Sequence, residues 1–288
     1  MFIFYMGPKT IRKLVFVHGK GGVGKTAISQ SLALGLSQSG KKTLWSTFED
    51  PFLPKGETLQ ISPKLWHLNC DATQSFEEYA HLKIAVPLVA KLFARNKLVQ
   101  SLVRIVPGIH ELVLIGKVWE QRNHYDHVVV DMPSSGYALT LFKCTENFSR
   151  LFQSGPLQKD ALAMLQTFAD PSVTDHWILA LPEEMPLIEA LEFRKHLKKL
   201  FPKVIPKYWV NRIFPSARSL PQSHRAALSW NRPQASSAWD YSVKRSELEA
   251  ENLKLWSDDG VLFQKIPYFI ATSEMLLQKL ADYFEEQL

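Results

Sequence analysis

Cysteine is scarce: the 288 residues carry only Cys70 and Cys144, far apart and without a CxxC pair. A chain-internal four-cysteine zinc site is excluded, so no zinc is expected. The two thiols read as buried and unpaired, which fits a reducing cytoplasm. Long apolar runs are also missing. The apolar start, Met1-Phe2-Ile3-Phe4-Tyr5-Met6, has no basic flank before it and no small-residue cleavage site after it, and a spanning helix needs about 20 apolar residues. Neither a signal peptide nor stable membrane insertion is expected, and the protein reads as cytoplasmic. There is no internal repeat, no low-complexity linker and no guanine-reading Asn-Lys-x-Asp motif. The formal charge of +6 is modest. Its cations are mostly interleaved with acids and no nucleic-acid motif accompanies them, so a solvated basic surface is the reading and no nucleic-acid partner is expected.

What is present is a chain able to bury one substantial core, with 46% hydrophobic residues. Short apolar runs alternate with longer helical stretches, which implies an α/β fold with a mostly parallel sheet flanked by helices. The strands expected are Leu14–His18, Thr43–Thr47, Trp66–Cys70, His127–Asp131, His176–Leu181, Tyr208–Asn211 and Leu262–Ile266. Residues 1–288 read as a single P-loop domain. A helical cap beside the sheet is expected from about 75–117 plus 144–169. The apolar face around residues 88–106 serves either packing against the sheet or a client groove. Residues 215–259 are polar and include the helical run Ser242–Trp256. The last helix, Ser273–Leu288, gathers Leu276, Leu277, Leu280 and Phe284 on one face and is expected to dock onto the sheet.

The chemistry concentrates between strand and helix. Gly19-Lys20-Gly21-Gly22-Val23-Gly24-Lys25-Thr26, followed by Ala27, satisfies G-x-x-x-x-G-K-[ST] at every required position. Glycines let backbone N–H groups approach phosphate oxygens, and the following helix adds its positive N-terminal end. Lys25 is expected on the β- and γ-phosphates of ATP and the Thr26 hydroxyl on Mg2+. The additional lysine, Lys20, resembles the deviant Walker A motif, whose lysine reaches a partner's nucleotide; that resemblance implies a nucleotide-sandwich dimer. The apolar strand His127–Asp131 ends in an aspartate able to hold magnesium, usually through water, or alternatively to cap the next helix. The small-residue loop beyond it, Met132 to Tyr137, is a candidate γ-phosphate sensor through Pro133, Gly136 and Tyr137.

These elements, in order, resemble the ATPase family that includes the arsenite-pump subunit ArsA and the tail-anchored-protein targeting ATPase of the guided-entry pathway. Further matches are Leu65 to Asp71, Pro107-Gly108-Ile109-His110-Glu111, Leu181-Pro182-Glu183-Glu184-Met185-Pro186 with Glu189, Val210-Asn211-Arg212, and Ile266-Pro267. The resemblance implies that Asn211 reads adenine and Pro267 flanks the base; unaided, Asn211 serves equally to cap a turn. Two departures stand out. The first switch, Ser46-Thr47-Phe48-Glu49-Asp50-Pro51-Phe52, offers either Asp50 or Glu49 for the family's water-orienting acid. Tyr137 occupies a position that is often histidine. The leading expectation is an ArsA-like ATPase, a homodimer or a heterodimer with a related ATPase, cycling on an unidentified client. A weakly hydrolysing partner subunit is the alternative, and a MinD/ParA-type positioning ATPase a more distant one.

Overall fold

The computed structural model describes residues 11–84, 96, 101, 107–215 and 233–287, with side chains omitted for 233–239. The apolar start of the chain, the positions Leu88, Leu92, Val99, Leu102 and Val103 with their candidate groove, and most of the polar stretch before residue 233 lie outside the described residues.

Among the described residues, eight strands form one sheet: β1 (Leu14–Gly19), β2 (Thr43–Phe48), β3 (Thr58–Ser62), β4 (Leu65–Cys70), β5 (His127–Asp131), β6 (Thr174–Ala180), β7 (Lys207–Ile213) and β8 (Phe263–Pro267). Their order across the sheet is β3-β4-β2-β5-β1-β6-β7-β8. All pairings are parallel except β3 with β4. The seven expected strands are therefore present, with ends shifted by at most two residues. β3 was not expected, and the reason is physical. Leu59 and Ile61 alternate with Thr58, Gln60 and Ser62, but the run is only five residues long and almost all exposed, so no core-facing apolar stripe marks it and its ladder to β4 defines it.

Helices cover both faces. Leu14, Phe16, Val128, Val130 and Ile178 turn to one face, where the core is completed by α3 (Ile109–Gln121), α4 (Ser135–Leu151), α5 (Pro156–Ala169) and α6 (Glu184–Leu200), with Leu253 and Trp256 of α7 (Pro233–Asp258). Val15, Val17, Val129, Trp177 and Trp209 turn to the other, against Ile28 and Leu32 of α1 (Lys25–Gln38) and Leu280 and Phe284 of α8 (Ser273–Gln287). This two-sided burial is why the strands read as continuous apolar runs. The last helix docks as its spacing implies, with Phe284 near both Trp177 and Trp209. In the region assigned to a cap, α2 (Ala72–Lys83), α3, α4 and α5 pack in sequence against one another.

β1 lies between β5 and β6, where the chain's connections diverge to opposite sides. In open parallel sheets, ligands bind at the strands' carboxyl ends beside such a switch point. Gly19, Asp131 and the residues after Phe48 all come to that edge.

Candidate nucleotide site

The phosphate loop leaves β1 at Gly19 and enters α1 at Lys25. Two of its glycines are required by their surroundings. A Cβ on Gly19, at φ +151, would meet the Leu179 carbonyl oxygen at 2.6 Å; one on Gly24, at φ +93, would meet Asn211 Nδ2 at 2.6 Å. Gly24 caps α1 without a side-chain hydrogen bond, and no acidic residue occupies the helix's first turn. The helix thus presents free N–H groups and an uncompensated positive end, the arrangement that receives an anion. Lys25 Nζ donates to the Lys20 carbonyl at 3.0 Å. Burial holds its ammonium below the usual lysine range, against the opposing pull of Asp131.

Asp131 ends β5 beside β1, paired in register with Val17. Thr26 Oγ1 donates to its Oδ2 at 2.6 Å, while the buried Oδ1 has no hydrogen-bond partner among the described residues. Burial pushes the carboxyl up to about 6, with the Thr26 bond and Lys25 pulling the other way and the Asp50 charge adding to the rise. A carboxylate oxygen left bare beside a hydroxyl is an oxygen donor set suited to a hard cation such as magnesium.

Around these groups lies a cavity of about 340 Å³, lined by Lys25, Thr26, Asp131, Met132, Pro133 and residues 47–52. The first switch leaves β2 through Glu49, which is held at a left-handed φ of 46. That turn separates the two candidate acids. Asp50 stays at the cavity, where its charge reaches Asp131 and His67, and its Oδ1 accepts from Phe52 N at 2.9 Å. Glu49 also lines the cavity but its Oε2 lies 3.0 Å from Nε2 of His110, in the first turn of α3. Tyr137 lies near Glu111 and Glu49, and burial with those charges pushes its phenol up to about 12.

The second switch is shorter than the sequence suggests. Ser134 is the N-cap of α4, so the loop covers only 132–134 and Gly136 and Tyr137 belong to the helix's first turn. Small residues there satisfy a helix start as well as a loop, and local sequence does not separate the two.

On the other side of the phosphate loop, Asn211 of β7 is buried. Its Nδ2 donates to the Val23 carbonyl at 2.9 Å and its Oδ1 accepts from Arg212 N at 2.9 Å. The carboxamide thus braces the loop from behind. Pro267 ends β8 and is exposed. Lys20 turns toward α6 and pairs with Glu189 at 2.5 Å, both side chains partly exposed at 42% and 32%.

Residue-pattern reasoning overlooked three contributors. Asn69 organises the first switch, His110 pairs with Glu49, and the buried pair His18 and His176 lies behind the loop with Nε2 and Nδ1 3.0 Å apart. A signal existed for the strand residues, because a polar side chain inside an apolar parallel strand needs a specific partner.

Sheet order, loop and carboxylate together define a P-loop NTPase fold. Residues 12–164 match the family model described as anion-transporting ATPase (ArsA ATPase), and the chain belongs to that family. It is similar to ATPase BagA of Mycobacterium tuberculosis, 27% identical over 65% of this chain and 62% of that protein. A putative arsenical pump-driving ATPase 2 of Aquifex aeolicus is 29% identical over 66% of this chain and 64% of its own length. ATPase ASNA1 homolog 2 of Paramecium tetraurelia is 31% identical over 50% of this chain and 46% of its own. The chain thus spans less than two thirds of these relatives' length.

Proposed function

We propose that this protein binds and hydrolyses Mg-ATP, as an ArsA-like ATPase of the cytoplasm that works as a nucleotide-sandwich dimer on an unidentified client. The observation that carries the reading is the constellation of Lys25, Thr26 and the bare Asp131 Oδ1 at the mouth of the phosphate loop.

In this reading the loop amides of residues 19–27 and the α1 terminus hold the phosphates, and Lys25 moves from the Lys20 carbonyl to the β- and γ-phosphate oxygens. Thr26 and Asp131 hold magnesium, which when bound neutralises charge on the phosphates. Asp50 is the acid that orients the attacking water: both acids line the cavity, but Glu49 is engaged by His110 and supports the switch. Pro133 lines the γ-phosphate end. Gly136 and Tyr137 follow at the start of α4, where Tyr137 acts as a hydrogen-bond donor because its phenol stays protonated near neutral pH. Asn211 and Pro267 flank the adenosine side.

Lys20 acts across the dimer, on charge that develops at the partner's phosphates. Its pairing with Glu189 does not oppose this, because an exposed ion pair contributes no more than about 1 kcal/mol and is easily exchanged. Among the described residues no helix is long and apolar enough to cross a membrane. A second reading, a nucleotide-binding partner subunit with little turnover, draws on the non-titrating Tyr137.

Steady-state hydrolysis with magnesium, measured beside nucleotide binding for wild type and Lys20→Ala, tests the proposal. Turnover in wild type that is lost in Lys20→Ala with binding retained supports it. Tight binding without wild-type turnover would replace it with the partner-subunit reading.

A further inference from the structure

Asn69 occupies a place in the sheet where a polar residue has to be explained. It lies in β4, opposite Thr47 of β2, and is completely buried. Burying a carboxamide there costs free energy unless all its hydrogen bonds are made. Every one of them is. Oδ1 accepts from Thr47 Oγ1 at 3.2 Å and from Asp50 N at 2.9 Å; Nδ2 donates to the Asp50 carbonyl at 2.8 Å and to the Leu53 carbonyl at 3.1 Å. Two lone pairs and two hydrogens are the full capacity of this side chain.

The placement of these bonds matters more than their number. The side-by-side pairing of β2 and β4 ends at Phe48 and Cys70. Glu49 N still reaches the Cys70 carbonyl at 2.9 Å, and its left-handed φ then turns the chain out of the sheet. At that point the backbone of Asp50 has lost its strand partner, and the Asn69 carboxamide replaces it by taking both the N–H and the C=O. The returning chain is held by the same residue, since Gly56 N donates to the Asn69 carbonyl at 2.8 Å. A second tie, from Gln74 Nε2 to the Gly56 carbonyl at 3.2 Å, joins the loop's far end to α2. Both departure and return of the first switch are therefore fastened to one strand residue and to the helix that follows it.

We infer that Asn69 is the positioning residue of this active site: by hydrogen-bonding both backbone groups of Asp50 and the Leu53 carbonyl, it fixes the Asp50 carboxylate over the cavity shared with Thr26 and Asp131. The inference rests on the proposed ATPase reading for the role of Asp50, and on geometry alone for the anchoring of residues 49–56. The side chain is fully buried and does not line the cavity. Its loss lets the acid wander, and misplacement of a reacting group by about 1 Å costs on the order of 100-fold in rate.

Asn69→Asp is the direct test, because it preserves shape and both acceptors while removing both donations and placing an oxygen against the carbonyls of Asp50 and Leu53. Thr47→Val is the gentler companion, removing one of the four Asn69 bonds together with the contact to His67 Nε2. For Asn69→Asp, kcat should fall roughly 10- to 100-fold while KM for ATP stays within about 3-fold. Thr47→Val should fall between it and wild type. Amide hydrogen exchange, measured by mass spectrometry, should quicken in peptides covering 49–56 and stay unchanged in α1 and β5. An unchanged kcat in Asn69→Asp overturns the inference. So does a joint loss of kcat and ATP binding with exchange rising throughout the sheet, which marks a general folding residue. If wild type itself fails to turn over ATP, the ATPase reading falls separately. Exchange then decides: faster exchange confined to 49–56 upholds the anchor, and unchanged exchange there removes it.

Discussion

At His18 and His176 two imidazoles lie nearly parallel and fully buried, and their protons can be assigned from one fixed acceptor. His176 Nε2 meets the Phe168 carbonyl at 2.9 Å, so that nitrogen carries the hydrogen. In the neutral ring its Nδ1 then accepts, which makes His18 Nε2 the donor of the 3.0 Å contact. His18 Nδ1 is left with a buried lone pair and no partner among the described residues. Around the pair stand the rings of Phe16, Phe142, Phe193 and Phe201, with the Lys25 charge also felt at His18. The Phe168 carbonyl favours the charged form of His176, but burial outweighs it and lowers His176 to about 4, and burial with the neighbouring His176 and Lys25 charges holds His18 well below its usual value. A lowered histidine favours the fold where it is neutral. The contribution is fully present above about pH 6.5 and is lost as pH falls from there toward 4. For His176 alone the loss amounts to about 3 kcal/mol. Urea midpoints between pH 7.5 and 4 should drop steeply in wild type, and the slope should flatten in His176→Gln. Gly24 supports a second expectation at this scale. Ala there takes a left-handed φ and forces its Cβ onto Asn211 Nδ2. Calorimetry should show ATP affinity for Gly24→Ala reduced by 10-fold or more, as loop and brace move apart (~1.4 kcal/mol per decade).

Among the elements, α7 shows how one side chain joins several. Trp256 is completely buried, its Nε1 donates to the Leu187 carbonyl of α6 at 3.0 Å, and its ring packs edge-on against Tyr208 of β7 and Phe263 of β8. Trp256→Ala should cost about 3–5 kcal/mol by urea denaturation, and Trp256→Phe about 1–2, the latter from the lost donation to the Leu187 carbonyl and the smaller ring. β3 makes the opposite point. It is antiparallel and exposed at the sheet's edge, where it pairs with β4 on one side and its side chains contribute little. Buried apolar runs announce themselves in a sequence, and a five-residue exposed alternation such as Thr58–Ser62 does not.

For the molecule as a whole, the open question is assembly. Lys20 is the loop residue that the sandwich reading sends across an interface, and within one chain it rests on Glu189. If two chains close over nucleotide, blocking hydrolysis should trap them. Sedimentation of Asp50→Asn with ATP and magnesium should show the mass doubling from about 33 to 66 kDa. Without nucleotide the protein should sediment as the lighter species. A protein that stays single under both conditions would argue against self-pairing and favour a related ATPase as the second subunit.

The sequence by itself determined the phosphate loop, the aspartate-ended strand beside it and the parallel α/β frame. Each depends on local patterns: glycine spacing, apolar runs of strand length, and helical periodicity. It also carried the family resemblance that the match over residues 12–164 bears out. Tertiary structure alone decided what the polar side chains do. Asn211 meets Val23 across 188 positions, Lys20 meets Glu189 across 169, and His18 meets His176 across 158. The separation of Glu49 from Asp50 depended on a backbone turn and on His110, 61 residues away. Apolar burial is an average over many neighbours and leaves a periodic trace along the chain. A hydrogen bond is directional and needs one particular partner, whose position exists only once the sheet has brought the strands together.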